Sequence, residues 1–210
     1  MNTTNHLKNE DVAKYETKNP IVKLVHSNFF GCQRRLMNDI DFETVFEAGC
    51  GSGYVTEFIK QQYPTADIYA MDINEEKLSL AKARIKDVQF SVGTIYDIPH
   101  QDNAFDLVIS NQVIEHLDDP LIALEELMRI AKRYVIISVP NEPLYRITNV
   151  MRFKHLSALG NTPGHINHWS KAEICALANK ICDVREIRAP FPFVMLLCEK
   201  RCSANHPSKY

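Results

Sequence analysis

No two cysteines in this 210-residue chain are spaced C-x-x-C. Cys32, Cys50, Cys175, Cys182, Cys198 and Cys202 thus lack the spacing of a zinc ribbon or a redox pair, and a chain of this size needs no disulfide staples. Cys198, Cys202 and His206 are poorly spaced for a metal and follow a strand-like run. Reduced thiols and a cytoplasmic location are the expectation. No apolar run approaches the roughly 20 residues that span a bilayer. The polar start, Met1 to Asn5, lacks the apolar core of a secretion signal. Charges nearly cancel, with 24 basic against 26 acidic residues and a net charge of -2, so no global field draws the chain to nucleic acid or membrane. Gly-Lys-Ser/Thr is also missing, which excludes a phosphate-binding P-loop.

What the chain does have is alternation. Short β-prone runs at Val45–Glu47, Ile68–Met71, Val88–Val92, Phe105–Ser110 and Tyr134–Val139 exchange with amphipathic runs at Tyr54–Gln62, Glu75–Ile85 and Leu121–Ala131. That rhythm implies a mostly parallel sheet with helices on both faces, binding its ligand beyond the carboxyl ends of the strands. Ser170 and Glu173 form a capping box opening a helix over Lys171–Lys180. Val184–Arg188 and Phe193–Cys198 read as two last strands joined by Ala189-Pro190-Phe191-Pro192, which suits an antiparallel edge hairpin. Upstream, Val22, Val25, Phe29 and Leu36 share one helical face. One domain over residues 1–210 is expected, with an N-terminal helical cap at 1–42 and an insertion at 140–170.

Val45-Phe46-Glu47-Ala48-Gly49-Cys50-Gly51-Ser52-Gly53-Tyr54 is the most informative stretch. A strand ends on an acid, and glycines stand at alternate positions before a helix. The next strand ends on Asp72, placed to accept bonds from both hydroxyls of a ribose. Tyr54 occupies the place where a dinucleotide fingerprint needs a small residue, which disfavours a nicotinamide oxidoreductase. Glu47 would repel a pyrophosphate and suits a cationic group.

This pattern resembles the first motif of class I S-adenosylmethionine (SAM)-dependent methyltransferases, and the resemblance runs from about Val45 to Trp169. It implies a doubly wound, seven-stranded Rossmann-like α/β fold with an antiparallel last strand and a cap over the strand ends. It implies SAM as cofactor, held by Glu47, Gly49, Gly51, Gly53, Asp72, Ile73, Asp97, Ile98 and Asn111. In that reading Ile73 packs on the adenine. Asp97, in Val92-Gly93-Thr94-Ile95-Tyr96-Asp97-Ile98-Pro99, bonds the adenine amino group, and the Ile98 backbone meets the ring nitrogen. A turn aspartate is the plainer reading of Asp97. Asn111 ends the fourth strand, facing the methionine part, and Tyr15 lies upstream where it could close over the cofactor. Asp106 reads as a strand-end residue.

Val113-Ile114-Glu115-His116-Leu117 resembles the E-H-L segment of small-molecule and some RNA methyltransferases, which implies His116 near the transferred methyl. His116 could accept a proton from the acceptor, or merely hold a loop. The insertion, Pro140 to Ser170, carries three prolines, two glycines, three histidines and Trp169. Its His165 and His168 either shape an acceptor pocket with His116, fix the loop, or join Glu115 and His116 on a metal. The last arrangement resembles metal-dependent small-RNA 2′-O-methyltransferases, but those carry a glutamate where this chain has Gln112, a poor ligand for a hard cation. A metal-free site is therefore expected. Arg146, Arg152, Lys154 and His155 against Glu142 suit an anionic acceptor or a solvated helix face. No Asn-Pro-Pro-Tyr-like run follows the fourth strand, which disfavours base methylation. The expected activity is methyl transfer from SAM to an oxygen or nitrogen of a small molecule. The alternatives are a metal-assisted RNA 2′-O-methyltransferase and a non-catalytic SAM-binding protein.

Overall fold

The computed structural model describes residues 17–142, 144–151 and 165–201. Seven strands, β1 (Thr44–Ala48), β2 (Asp67–Asp72), β3 (Gln89–Val92), β4 (Phe105–Asn111), β5 (Ala131–Pro140), β6 (Cys182–Arg188) and β7 (Phe193–Lys200), form one sheet in the order β3-β2-β1-β4-β5-β7-β6. β1 to β5 pair in parallel, whereas β7 runs antiparallel to both β5 and β6. The last two strands do form a hairpin, but β7 lies inside the sheet and β6 takes the edge. Side-chain pattern explains the exchange. β7 buries a continuous run from Val194 to Cys198, as a strand covered on both faces must, while β6 alternates buried or half-buried with exposed positions.

The helices are α1 (Pro20–Asn38), α2 (Tyr54–Gln62), α3 (Glu75–Arg84), α4 (Pro120–Ile130), α5 (Leu144–Met151) and α6 (Lys171–Ala178). Local chemistry sets their starts. Asn19 caps α1, its Oδ1 accepting from Ile21 N at 2.9 Å, with Pro20 at the first helical position. Ser170 and Glu173 make the capping box of α6. Strand alternation divides the core between the two faces. Phe46, Val108, Val135, Ile137 and Leu196 point to the face covered by α4 and α6. Val45, Leu107, Ile109, Ile136 and Leu197 point to the face covered by α1 and α2. The apolar stripe of α1 buries only its later half, at Phe29, Cys32, Leu36 and Met37, and Ile21 and Leu24 remain 71 % exposed.

Cys32, Cys50, Cys175, Cys182 and Cys198 are free thiols, and no helix among the described residues is long and apolar enough to cross a membrane. Tyr15, Arg152, Lys154, His155, Cys202 and His206 lie outside the described residues.

The amino end of the sheet has its own polar clasp. Asp106, at the start of β4, accepts from Thr44 N at 2.9 Å, Thr44 Oγ1 at 2.8 Å and Glu43 N at 3.1 Å, and pairs with Lys132 Nζ at 2.7 Å. Burial pushes its carboxyl upward, but Lys132 and the Thr44 and Glu43 donors outweigh that and hold it well below the usual carboxylate range. A depressed carboxyl contributes stability that is present above the unfolded pKa and is lost as pH falls through the folded one. Asp106→Ala should therefore destabilise the fold by about 1–3 kcal/mol near neutral pH. Urea unfolding at a series of pH values should show the deficit shrinking below about pH 4. No deficit at pH 7 would refute the clasp.

Candidate functional site

The turn after β1 is built by backbone bonds to the tip of β2. Gly49 N and Cys50 N both donate to Met71 O, at 2.7 and 3.0 Å, and Gly51 N donates to Asp72 Oδ2 at 2.6 Å. All three glycines have positive φ, but space separates their tasks. A Cβ on Gly49 would strike Val113, and one on Gly53 would come within 2.8 Å of Ala81 on α3 and of Ile85 just after it. A Cβ on Gly51 would meet nothing within 4 Å. Gly49 and Gly53 thus permit packing, and Gly51 opens onto a cleft.

That cleft, about 550 Å³, lies at the carboxyl ends of β1, β2, β3 and β4. Glu47, Gly49, Gly51, Asp72, Ile73 and Asn111 line it, together with His116 at its far end. The structure therefore brings together six of the nine expected cofactor residues. Gly53 packs on α3 instead. The other two stand off the cleft for a clear reason. Asp97 is exposed, and its N–H closes a turn onto Thr94 O at 3.4 Å. Ile98 is buried in the core, and its N–H donates to Glu126 Oε1 at 2.7 Å. Glu126 is gripped in turn by Arg129, whose guanidinium also bonds Ile98 O at 2.9 Å and His100 O at 2.7 Å. With that N–H engaged, the cleft wall at this point is Gly93, Thr94, Ile95 and Tyr96, a few residues earlier than the motif suggested.

Glu47 is 1 % exposed and accepts a bond from Thr56 Oγ1 of α2 at 2.5 Å. Burial pushes its carboxyl from 4.5 up to about 7; the Thr56 bond works against this and the charge of Asp72 adds to it. A raised carboxyl binds its proton more tightly in the fold, so the stability it contributes falls as pH rises between 4.5 and about 7. A cation in the cleft would reverse that trend. Asp72 also accepts from Asn74 N through Oδ1 at 2.8 Å, and each of its oxygens keeps a further lone pair for a ligand hydroxyl. Ile73, 76 % exposed, presents an apolar surface on the lip of the cleft.

Asn111 is held by a buried polar chain. Its Nδ2 donates to Gln33 Oε1 of α1 at 3.0 Å, and its Oδ1 accepts from Ser138 Oγ of β5 at 2.6 Å. Gln112 follows at φ 57, an unusual left-handed glutamine held by its N–H to Ser138 O at 2.9 Å. This bend presses Val113 against Gly49. Gln33 was not singled out in the sequence, because a glutamine on a helix face reads as solvated; its fourfold-spaced apolar neighbours Phe29 and Leu36–Met37 were the available signal.

Past the cleft, the short helical turn Ile114–His116 meets the segment after residue 164. Glu115 O accepts from Ile166 N and Asn167 N, both at 3.0 Å, and Asn167 Nδ2 donates to Leu117 O at 2.6 Å. His165 lies edge-to-face with His116, ring centroids 4.9 Å apart, and stacks on Tyr145 of α5 at 5.6 Å. His165 and His168, expected as acceptor-pocket residues, do not line the cleft itself. His168 sits 3.8 Å from the buried carboxylate of Glu142.

Known proteins resemble this arrangement. Residues 46–138 match the family model described as a methyltransferase domain. An uncharacterized methyltransferase of Schizosaccharomyces pombe is 33 % identical over 101 residues, 43 % of this chain and 36 % of that protein. Malonyl-[acyl-carrier protein] O-methyltransferase of Bacillus anthracis is 33 % identical over 99 residues, 46 % of this chain and 36 % of that one. The matched region thus spans about 36 % of these relatives' length. The crystal structure of a SAM-dependent methyltransferase from Aquifex aeolicus superposes with a TM-score of 0.67 at 20 % identity, covering 94 % of this chain and 98 % of that one. Residues 46–138 thus match a methyltransferase domain, and the seven-stranded sheet has the Rossmann-like methyltransferase fold.

Proposed function

We propose that this chain binds SAM in the cleft above Gly51 and methylates an oxygen or nitrogen of a small molecule. The observation that carries the reading is the acid-lined cleft: Glu47 and Asp72 flank the glycine turn, beside a glycine whose Cβ position is open. Glu47 would take the cofactor's ammonium, a cation that matches a carboxylate already sealed from water. Asp72 would take the ribose hydroxyls, and Ile73, Thr94 and Ile95 would enclose the adenine. Asn111, fixed by Gln33 and Ser138, would hold the backbone at the methionine end. SAM supplies an activated methyl group and leaves as S-adenosylhomocysteine. The chain's own contribution is alignment of an acceptor between Asn111 and His116, since catalysis of this kind rests on orienting the reacting atoms. The relatives named for malonyl-[acyl-carrier protein] and the net charge of -2 favour a small acceptor over RNA. The direct test is transfer of label from methyl-labelled SAM into the small-molecule fraction of a cell extract. Label appearing only in RNA, or nowhere, would overturn this reading.

Asp72→Ala should weaken S-adenosylhomocysteine binding by more than about 100-fold, since two charge-assisted bonds of about 1.5–3 kcal/mol each are removed. Calorimetry on the folded variant measures it, and unchanged affinity would end the ribose assignment. The glycines should separate cleanly. Gly51→Ala should cost only about 1 kcal/mol of stability, yet lose affinity through a methyl in the cofactor's path. Gly53→Ala should mainly lower the melting temperature, by overpacking against α3. A reversed pattern would mean that Gly51 does not face the ligand. Glu47 gives a pH signature: affinity for SAM should rise with pH through about 7, with proton release on binding. Glu47→Gln should flatten that profile, and an identical slope in wild type and variant would show that Glu47 does not meet the ammonium.

A further inference from the structure

Glu115, His116 and His165 each offer one ligand atom, and these three atoms lie within 4.8 Å of one another. Metal–ligand distances near 2.0–2.2 Å place the ligands of one ion about 3–4 Å apart, so a small side-chain adjustment closes the set. Two features separate this cluster from a chance meeting of side chains. The segments that carry it are laced together by Glu115 O to the Ile166 and Asn167 amides and by Asn167 Nδ2 to Leu117 O, so the ligands' backbones are fixed before any ion arrives. Tyr145 stacks on the His165 ring at 5.6 Å and restricts how that imidazole can turn. Glu115 is 1 % exposed and His165 9 %, whereas His116 is exposed and lines the cleft. The set is therefore closed on the protein side and open on the side that faces the acceptor.

We infer that Glu115, His116 and His165 bind a divalent transition ion at the mouth of the cleft. Two imidazoles and one carboxylate suit Zn²⁺ or Mn²⁺ better than Mg²⁺, which wants an all-oxygen shell. Three protein ligands leave at least one position for water or for an oxygen of the acceptor, the arrangement of a catalytic rather than a structural ion. This departs from the metal-free expectation. Three ligands suffice without Gln112, whose Nε2 is turned to Ser138 Oγ at 3.3 Å. His168, the other ligand suggested by sequence, lies 3.8 Å from Glu142 instead. An ion here deepens the methyltransferase reading and rests on it only for the catalytic role: it would hold an acceptor oxygen beside the transferred methyl and lower its pKa.

The test uses the full chain and the metal alone. Chelator-stripped protein is titrated calorimetrically with Zn²⁺ and, separately, with Mn²⁺. One equivalent should bind. Glu115→Gln and His165→Ala should each weaken binding by more than about 10–100-fold, the loss already seen for outer-shell partners, while His168→Ala leaves it intact. Asn167→Ala should weaken it by about 10-fold without removing any ligand. S-adenosylhomocysteine affinity and circular dichroism, measured on the same samples, should match wild type in every variant. No bound ion, or an ion that survives in both ligand variants, overturns the site. Absence of S-adenosylhomocysteine binding in wild type would strike the cofactor reading and leave the ion result standing.

Discussion

A single carboxylate organises the ligand end of this molecule. Asp72 closes β2, and its Oδ2 receives the Gly51 amide at 2.6 Å while its Oδ1 receives Asn74 N at 2.8 Å. The first bond fixes the glycine turn against its neighbouring strand, and the second starts the turn into α3. Cleft shape and cleft charge therefore have one source. The same oxygens that would bond a ribose already define where the ribose can lie, so recognition here is prepared by the backbone rather than by mobile side chains.

The two ends of the sheet solve opposite problems. At the amino end Asp106 is surrounded by donors and a lysine, and its charge is stabilised well below the ordinary carboxylate range. At the carboxyl end Glu47 is sealed from water with one hydroxyl donor and a neighbouring acid, and its charge is disfavoured. Fold stability is gained where a carboxylate is fully bonded and conceded where one is sealed from water beside another acid. That asymmetry is what a parallel sheet with ligand-binding strand ends makes available.

Legibility in the sequence followed the range of the interaction concerned. Strands β1, β2, β4 and β5 are plain from apolar runs, and α2 from its spacing, because burial imposes those periods directly. The glycine turn and Asp72 are legible because their chemistry is local. The interior place of β7 is less so: a hairpin defines which strands pair, but only the doubly apolar run from Val194 to Cys198 hints which one is covered on both sides. Motif position alone does not show that Glu126, 28 residues on, takes the Ile98 amide. The meeting of Glu115, His116 and His165 depends on a contact across some fifty residues, Glu115 to Ile166 and Asn167, which no local pattern encodes.

The chain from Gln33 through Asn111 to Ser138 bears on where this unit can be cut. Gln33 belongs to α1, outside residues 46–138, yet its amide is wholly buried and holds a residue of the cleft wall. Leu36 and Met37 of the same helix cover Val45 and Ile59, and β7 is the partner of β5 on its other flank. A fragment trimmed to the matched segment would have an exposed strand edge along β5, a bare apolar face and an Asn111 Nδ2 without its Gln33 acceptor. The smallest autonomous folding unit is therefore larger than the smallest recognisable one, and expression boundaries drawn from similarity alone would yield an aggregation-prone five-stranded fragment.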